Sequence, residues 1–242
     1  MSITAKDVNE LRKKTGAGMM DCKKALTESN GDMEGAIDFL RKKGQKIAAK
    51  RGDRDAREGL VISKSHNENG YLVCLNCETD FVAKNDDFGA FANSLVDLAM
   101  QSESNTLEDL LNQKYANSEL TVKEKITEQS GVIGEKIEIS AFEKITATKV
   151  VAYNHPGNQI ATIVGLSLDE EEVGKQVAMQ VAAMNPIALD QDSVTQDVID
   201  REIEVGKDLA IQEGKPLEMA EKIAKGRLNK FFKETTLINQ AF

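Results

Sequence analysis

The chain has 242 residues, 40% of them hydrophobic and 29% charged, and no stretch approaches the roughly 18 consecutive apolar residues of a membrane helix. Residues 1–7 lack the apolar region of a signal peptide, so a cytoplasmic protein with no membrane partner is expected. The net charge of -9 is uneven: residues 1–57 carry 14 Lys+Arg against 9 Asp+Glu, and residues 58–242 carry 17 against 31, which leaves an RNA- or ribosome-binding module open for the basic head.

Thr4-Ala5-Lys6-Asp7 has the spacing of a capping box and opens a helix with Val8 and Leu11 on one side, closed before Gly16. Met19, Met20, Cys22, Ala25 and Leu26 then recur at helical spacing up to Asn30-Gly31, and Asp32 caps a third helix with Met33, Ala36, Ile37 and Leu40. Residues 1–43 thus read as a three-helix head, a unit small enough to suggest binding, though packing onto the main body is the plainer account. The polar, charged residues 44–58 read as a linker or frayed helix.

From Gly59 one pattern appears twice. Leu60 to Ser63, a turn at His66 to Gly70, a strand at Tyr71 to Leu75 and a helix at Phe88 to Met100 make the first copy. Lys149 to Tyr153, a turn at Asn154 to Asn158, a strand at Gln159 to Leu166 and a helix at Glu171 to Met184 make the second. The fold class is therefore α+β, with a core of two related strand-turn-strand-helix subdomains, 59–145 and 146–192 with 233–242, each an antiparallel sheet covered by helix on one face. Between the copies the spacing predicts a polar helix from Thr106 to Ser130 and an alternating strand from Lys136 to Phe142.

After Pro186, a helix starting at Asp192 or Ser193 carries Val194, Val198, Ile199, Val205 and Leu209. Gly214-Lys215-Pro216 breaks it, and a second helix with Ala220, Ile223, Ala224, Leu228 and Phe231 answers. Residues 193–232 read as a projecting helical hairpin whose narrow apolar stripes suit a coiled coil.

The stretch Thr79-Asp80-Phe81-Val82-Ala83-Lys84-Asn85 connects the first copy's strand to its helix. Phe81 there is either a core residue with Asp80 capping the helix, or the two form a tip that enters a partner. Cys74 and Cys77 have C-x-x-C spacing, but a separation of three along a strand sends them to opposite faces, and His66 and His155 stand alone. No phosphate loop, dinucleotide fingerprint or metalloprotease motif occurs, so neither an enzyme nor a bound cofactor or metal is expected.

Leu11-Arg12-Lys13-Lys14-Thr15-Gly16-Ala17-Gly18-Met19-Met20-Asp21-Cys22-Lys23-Lys24-Ala25-Leu26 closely resembles the amino terminus of the bacterial translation elongation factor Ts family. Thr79 to Lys84 resembles that family's second signature, and the order of elements agrees throughout. The resemblance implies a guanine-nucleotide exchange factor for elongation factor Tu, with a ubiquitin-associated-like head, the two-subdomain core and a helical-hairpin arm, in a 1:1 or 2:2 complex without nucleic acid. It implies that Asp80 and Phe81, between Thr79 and Val82, intrude into the GTPase near its magnesium site. It further implies that Met20 and Lys23 touch the same domain, that Ile133 is a core contact near the tip, and that His155 approaches another domain of the GTPase.

Overall fold

In the computed structural model, which describes residues 3–116 and 118–242, helix α1 (Ala5–Thr15) opens on a complete capping box. The Asp7 carboxylate accepts the Thr4 N–H at 2.8 Å, and the Thr4 hydroxyl accepts the Asp7 N–H at 3.3 Å. Gly16, in the left-handed region at φ 71°, stops the helix. Helix α2 (Met19–Glu28) turns Cys22, Ala25 and Leu26 inward, and α3 (Met33–Arg51), capped by Asp32, adds Ala36. Met19 and Met20, which the periodicity places on the inner stripe, are exposed instead: the head's small core does not cover the first turn of α2.

The linker expected over residues 44–58 is a helix through Arg51. Lys46, Ala48, Ala49 and Lys50 are good helix formers, and Gly44 is a packing residue there and no stop. A Cβ on Gly131 would lie 2.1 Å from the Gly44 Cα, so the backbones of α3 and the helix that carries Gly131 touch where they cross. The head is thereby seated on the body.

Strands β1 (Glu58–His66) and β2 (Asn69–Cys77) pair as an antiparallel hairpin. A single helical turn, α4 (Asp80–Ala83), leads into α5 (Asp86–Gln101). Phe88, Phe91, Ala92, Leu95, Val96 and Ala99 of α5 are buried in one cluster with Leu60, Ile62, Tyr71, Val73 and Leu75 of the hairpin. The polar helix expected from Thr106 to Ser130 is two helices, α6 (Leu107–Asn112) and α7 (Val122–Ile133), because a second capping box at Thr121 and Glu124 restarts the chain. The strand expected over 136–142 lies four residues further on at its end: β3 (Glu138–Thr146) pairs antiparallel with β2. Alternation along β2 places Cys77 inside and Cys74 on the opposite face.

The second hairpin, β4 (Lys149–Asn154) and β5 (Ala161–Leu166), is a separate two-stranded antiparallel sheet. The Asn154 amide joins it to β1 by accepting the Ser63 N–H at 2.7 Å and donating to the Ser63 carbonyl at 2.8 Å, as a neighbouring strand would. Helix α8 (Glu171–Met184) follows.

The chain forms two compact units, Met1–Lys175 and Gln176–Phe242. Within the second, α9 (Gln196–Gln212) starts later than Asp192 or Ser193, since Asp190 accepts the Ser193 N–H and hydroxyl and holds that segment in a turn. Helix α10 (Leu217–Thr235) runs back antiparallel to it, with Lys207 paired to Glu221 and Arg227 to Glu213. Their seam is made of small residues: Gly206 lies against Ala224, and Ala210 and Ala220 are fully buried. Val205 and Leu209, expected on that seam, face outward because the close approach leaves no room for them between the helices.

Candidate functional site

Thr79, Asp80, Phe81 and Val82 form one turn at the exit of β2. Thr79 is the N-cap of α4, its hydroxyl oxygen accepting from the Val82 N–H at 3.5 Å. Val82 packs partly against the core cluster, and Ala83 is buried within it. With those two turned inward, Phe81 is turned out, and the residue is 84% exposed. The core alternative for Phe81 is therefore excluded. Asp80 pairs with Lys84 one turn on, at 2.7 Å, and the hydrogen bond and charge of that ammonium hold its carboxyl below the ordinary value of 3.8. The turn thus presents a ring and an ionised carboxylate together.

What anchors the turn lies far away in sequence. The Glu135 carboxylate accepts the backbone N–H groups of Glu78 and Thr79, each at 3.0 Å, and the Thr79 hydroxyl at 2.7 Å. Gly134, left-handed at φ 81°, ends α7 and turns the chain into Glu135. Beneath the turn, the buried Cys77 thiol lies 3.2 Å from the Thr79 carbonyl, and burial, then the Glu135 charge, push it up to about 11. Cys74 points to the opposite face of β2, so the two sulfurs of the C-x-x-C pair do not face one another. Among the described residues no group of three or more His, Cys, Asp or Glu side chains is placed to hold a metal ion.

Ile133, at the end of α7, shares a hollow with Val82, Phe88 and Tyr115, with Gly16 of the head on its rim. A second hollow brings Asp80 and Lys84 together with Gly157, Asn158 and Gln159. His155 is in that same β4–β5 turn, exposed, its Nδ1 2.9 Å from the Tyr153 hydroxyl. Met20 is 76% exposed and Lys23 is exposed on the outer side of α2, opposite Cys22, Ala25 and Leu26. The structure therefore groups the Thr79–Val82 turn with Ile133 on one side and the His155 turn on the other. Met20 and Lys23 stand on a separate outward face of the head, in neither hollow.

Sequence reasoning missed Glu78, Glu135 and Arg51. Glu135 follows a glycine helix stop, but its partners are 56 and 57 residues away and leave no local pattern. Arg51 lies in the charged stretch expected as a linker, where a side chain has no fixed neighbour.

The family model described as elongation factor TS matches residues 78–242. Elongation factor Ts of Christiangramia forsetii is 54% identical over 245 residues, spanning 99% of this chain and 88% of that protein. The proteins of the same name from Amoebophilus asiaticus and Flavobacterium psychrophilum are 52% and 50% identical, each over 100% of this chain and 89% and 88% of their own length.

Proposed function

This chain belongs to the elongation factor Ts family of translation factors, and from that premise we propose that it is a guanine-nucleotide exchange factor. It binds elongation factor Tu carrying GDP and promotes GDP release, so that GTP can reload; no bond is made or broken. The observation that carries the reading is Phe81, a residue with a large apolar ring, 84% exposed on an anchored turn. An exposed ring has no stabilising role in the free chain, whereas an aromatic at the centre of an interface is a strong anchor.

A GTPase holds GDP through Mg²⁺ and a loop of backbone N–H groups around the phosphates. In the proposed mechanism Thr79, Asp80, Phe81 and Val82 enter beside that site: the ring wedges the elements that carry the metal contacts apart, and the Asp80 carboxylate opposes the phosphate charge. The coupling is reciprocal, so bound GDP weakens the factor's own binding by the same factor. Ile133 extends the contact at the foot of the turn, Met20 and Lys23 dock the head, and His155 meets a further domain of the GTPase. We place a ubiquitin-associated-like head in the three helices that end at Arg51, the core subdomains at 59–145 and at 146–192 with 233–242, and a coiled-coil arm at 193–232. The exposed Met20 and the closely packed α9–α10 seam support those assignments.

The rival RNA-binding reading draws on the basic head, yet many of its cations are engaged within the chain: Lys43 with Asp21, Arg41 with Glu124, Arg51 and Arg54 with Glu78. Such pairing neutralises part of the positive charge that phosphates would meet. Catalytic amounts of the chain should accelerate release of a fluorescent GDP from elongation factor Tu, while calorimetry finds no nucleotide binding to the chain alone. Tight GDP binding by the isolated chain would overturn the proposal.

A further inference from the structure

The turn that presents Phe81 cannot hold its own shape. Helix α4 has four residues, and a single turn fixes several backbone dihedrals for very few hydrogen bonds, so it does not form unaided. Phe81, exposed as it is, contributes no packing that would fix it. Its position is set on one side by Val82 and Ala83, packed on the core cluster, and on the other by the backbone at Glu78 and Thr79, which is gripped by a charge.

Two carboxylates cross there. Glu135 accepts two successive backbone N–H groups and the hydroxyl that caps α4, which fixes the chain direction at the point where the strand becomes the helix. Glu78 reaches back the other way: it accepts the Lys136 N–H at 2.6 Å, both its oxygens lie 2.8 Å from the Arg51 guanidinium, and Arg54 approaches at 3.2 Å. Each acid thus binds the backbone beside the other, and Arg51 ties the pair to the last turn of the head helix α3. We propose that Glu135, supported by Glu78, is a positioning residue for nucleotide exchange: it holds the Thr79–Val82 turn in its working geometry, so that less ordering remains to be done when Phe81 enters the GTPase. The inference rests on the exchange reading above.

The test is saturated GDP release from elongation factor Tu by E135A, E135Q and the wild type, each in the presence and absence of F81A, with the folded fraction followed by circular dichroism. E135A is expected to slow saturated release about tenfold, within the range of coupling between residues in one hydrogen-bond network. E135Q, whose amide oxygen still accepts both N–H groups, should restore most of the rate. In the F81A background E135A should slow release much less than it does in the wild type, because most of what Glu135 holds in place is the ring. If E135A fails to fold, T79V carries the same comparison, since it removes the hydroxyl that Glu135 accepts. A folded E135A with the wild-type rate, an equal slowing with and without F81A, or a loss that follows only the folded fraction would each overturn the proposal. A wild-type chain that does not speed release would instead overturn the exchange reading itself, and the positioning role with it.

Discussion

Phe81 owes its exposure to its neighbours: Val82 and Ala83 occupy the inward side of the only turn α4 has, and the ring is left with the outward one. Because it packs against nothing, Phe81→Ala should change the melting temperature little, within the roughly 0.5 kcal/mol typical of surface substitutions. The same change should cost about 2–4 kcal/mol of interaction with the GTPase. From the sequence both roles stayed open, since an aromatic beside an apolar run is usually core and no local pattern tells which side of a one-turn helix meets the sheet. Glu78 makes a second prediction. Burial acts to raise its carboxyl, but the Lys136 N–H, Arg51 and Arg54 outweigh it and hold the group below its ordinary 4.5. A depressed folded pKa contributes stability that is present above the unfolded value and lost as pH falls through the folded one. Thermal unfolding should therefore show wild type more stable than E78Q at neutral pH, with the two curves converging below pH 4.5; a gap that persists in acid would contradict this.

At the scale of elements, the crossing of α3 and α7 depends on two glycines. Gly131→Ala would set a methyl carbon 2.1 Å from the Gly44 Cα, a backbone atom that cannot rotate away. The helices must separate, at about 1–3 kcal/mol or more. Gly226, exposed on α10 with nothing within 4 Å of an added Cβ, gives the opposite expectation: Gly226→Ala should stabilise by about 0.5–1 kcal/mol. Denaturant unfolding of the two variants checks both signs. These glycines also show why the sequence misled. Gly44 looks like a helix stop, and its actual role appears only once Gly131 is seen against it. The strands, by contrast, were legible, because their alternation and the glycine turns between them are written locally. The break between α6 and α7 was not legible: its capping box, Thr121 and Glu124, lies in a polar stretch that reads as one continuous helix.

Across the whole molecule, the repeated strand-turn-strand-helix pattern and the order of elements could be read along the chain, while the contacts that assemble the site join residues some 24 to 91 positions apart. In the proposed mechanism the anchored turn distorts the partner, and the outward face of α2 holds on to it. Replacing Met20 and Lys23 by alanine should therefore raise the half-saturating concentration for GDP release by roughly 3- to 10-fold, as loss of peripheral contacts does, and leave the saturated rate unchanged. A fall in the saturated rate would mean that the head takes part in the distortion. The turn itself is tested most directly by stopped-flow release of a fluorescent GDP from elongation factor Tu, with wild type or Phe81→Ala at saturating concentration. The account predicts that the variant, folded and bound, releases GDP about 30- to 1000-fold more slowly than wild type, the equivalent of 2–4 kcal/mol. A folded, bound Phe81→Ala chain that releases GDP at the wild-type rate would contradict it.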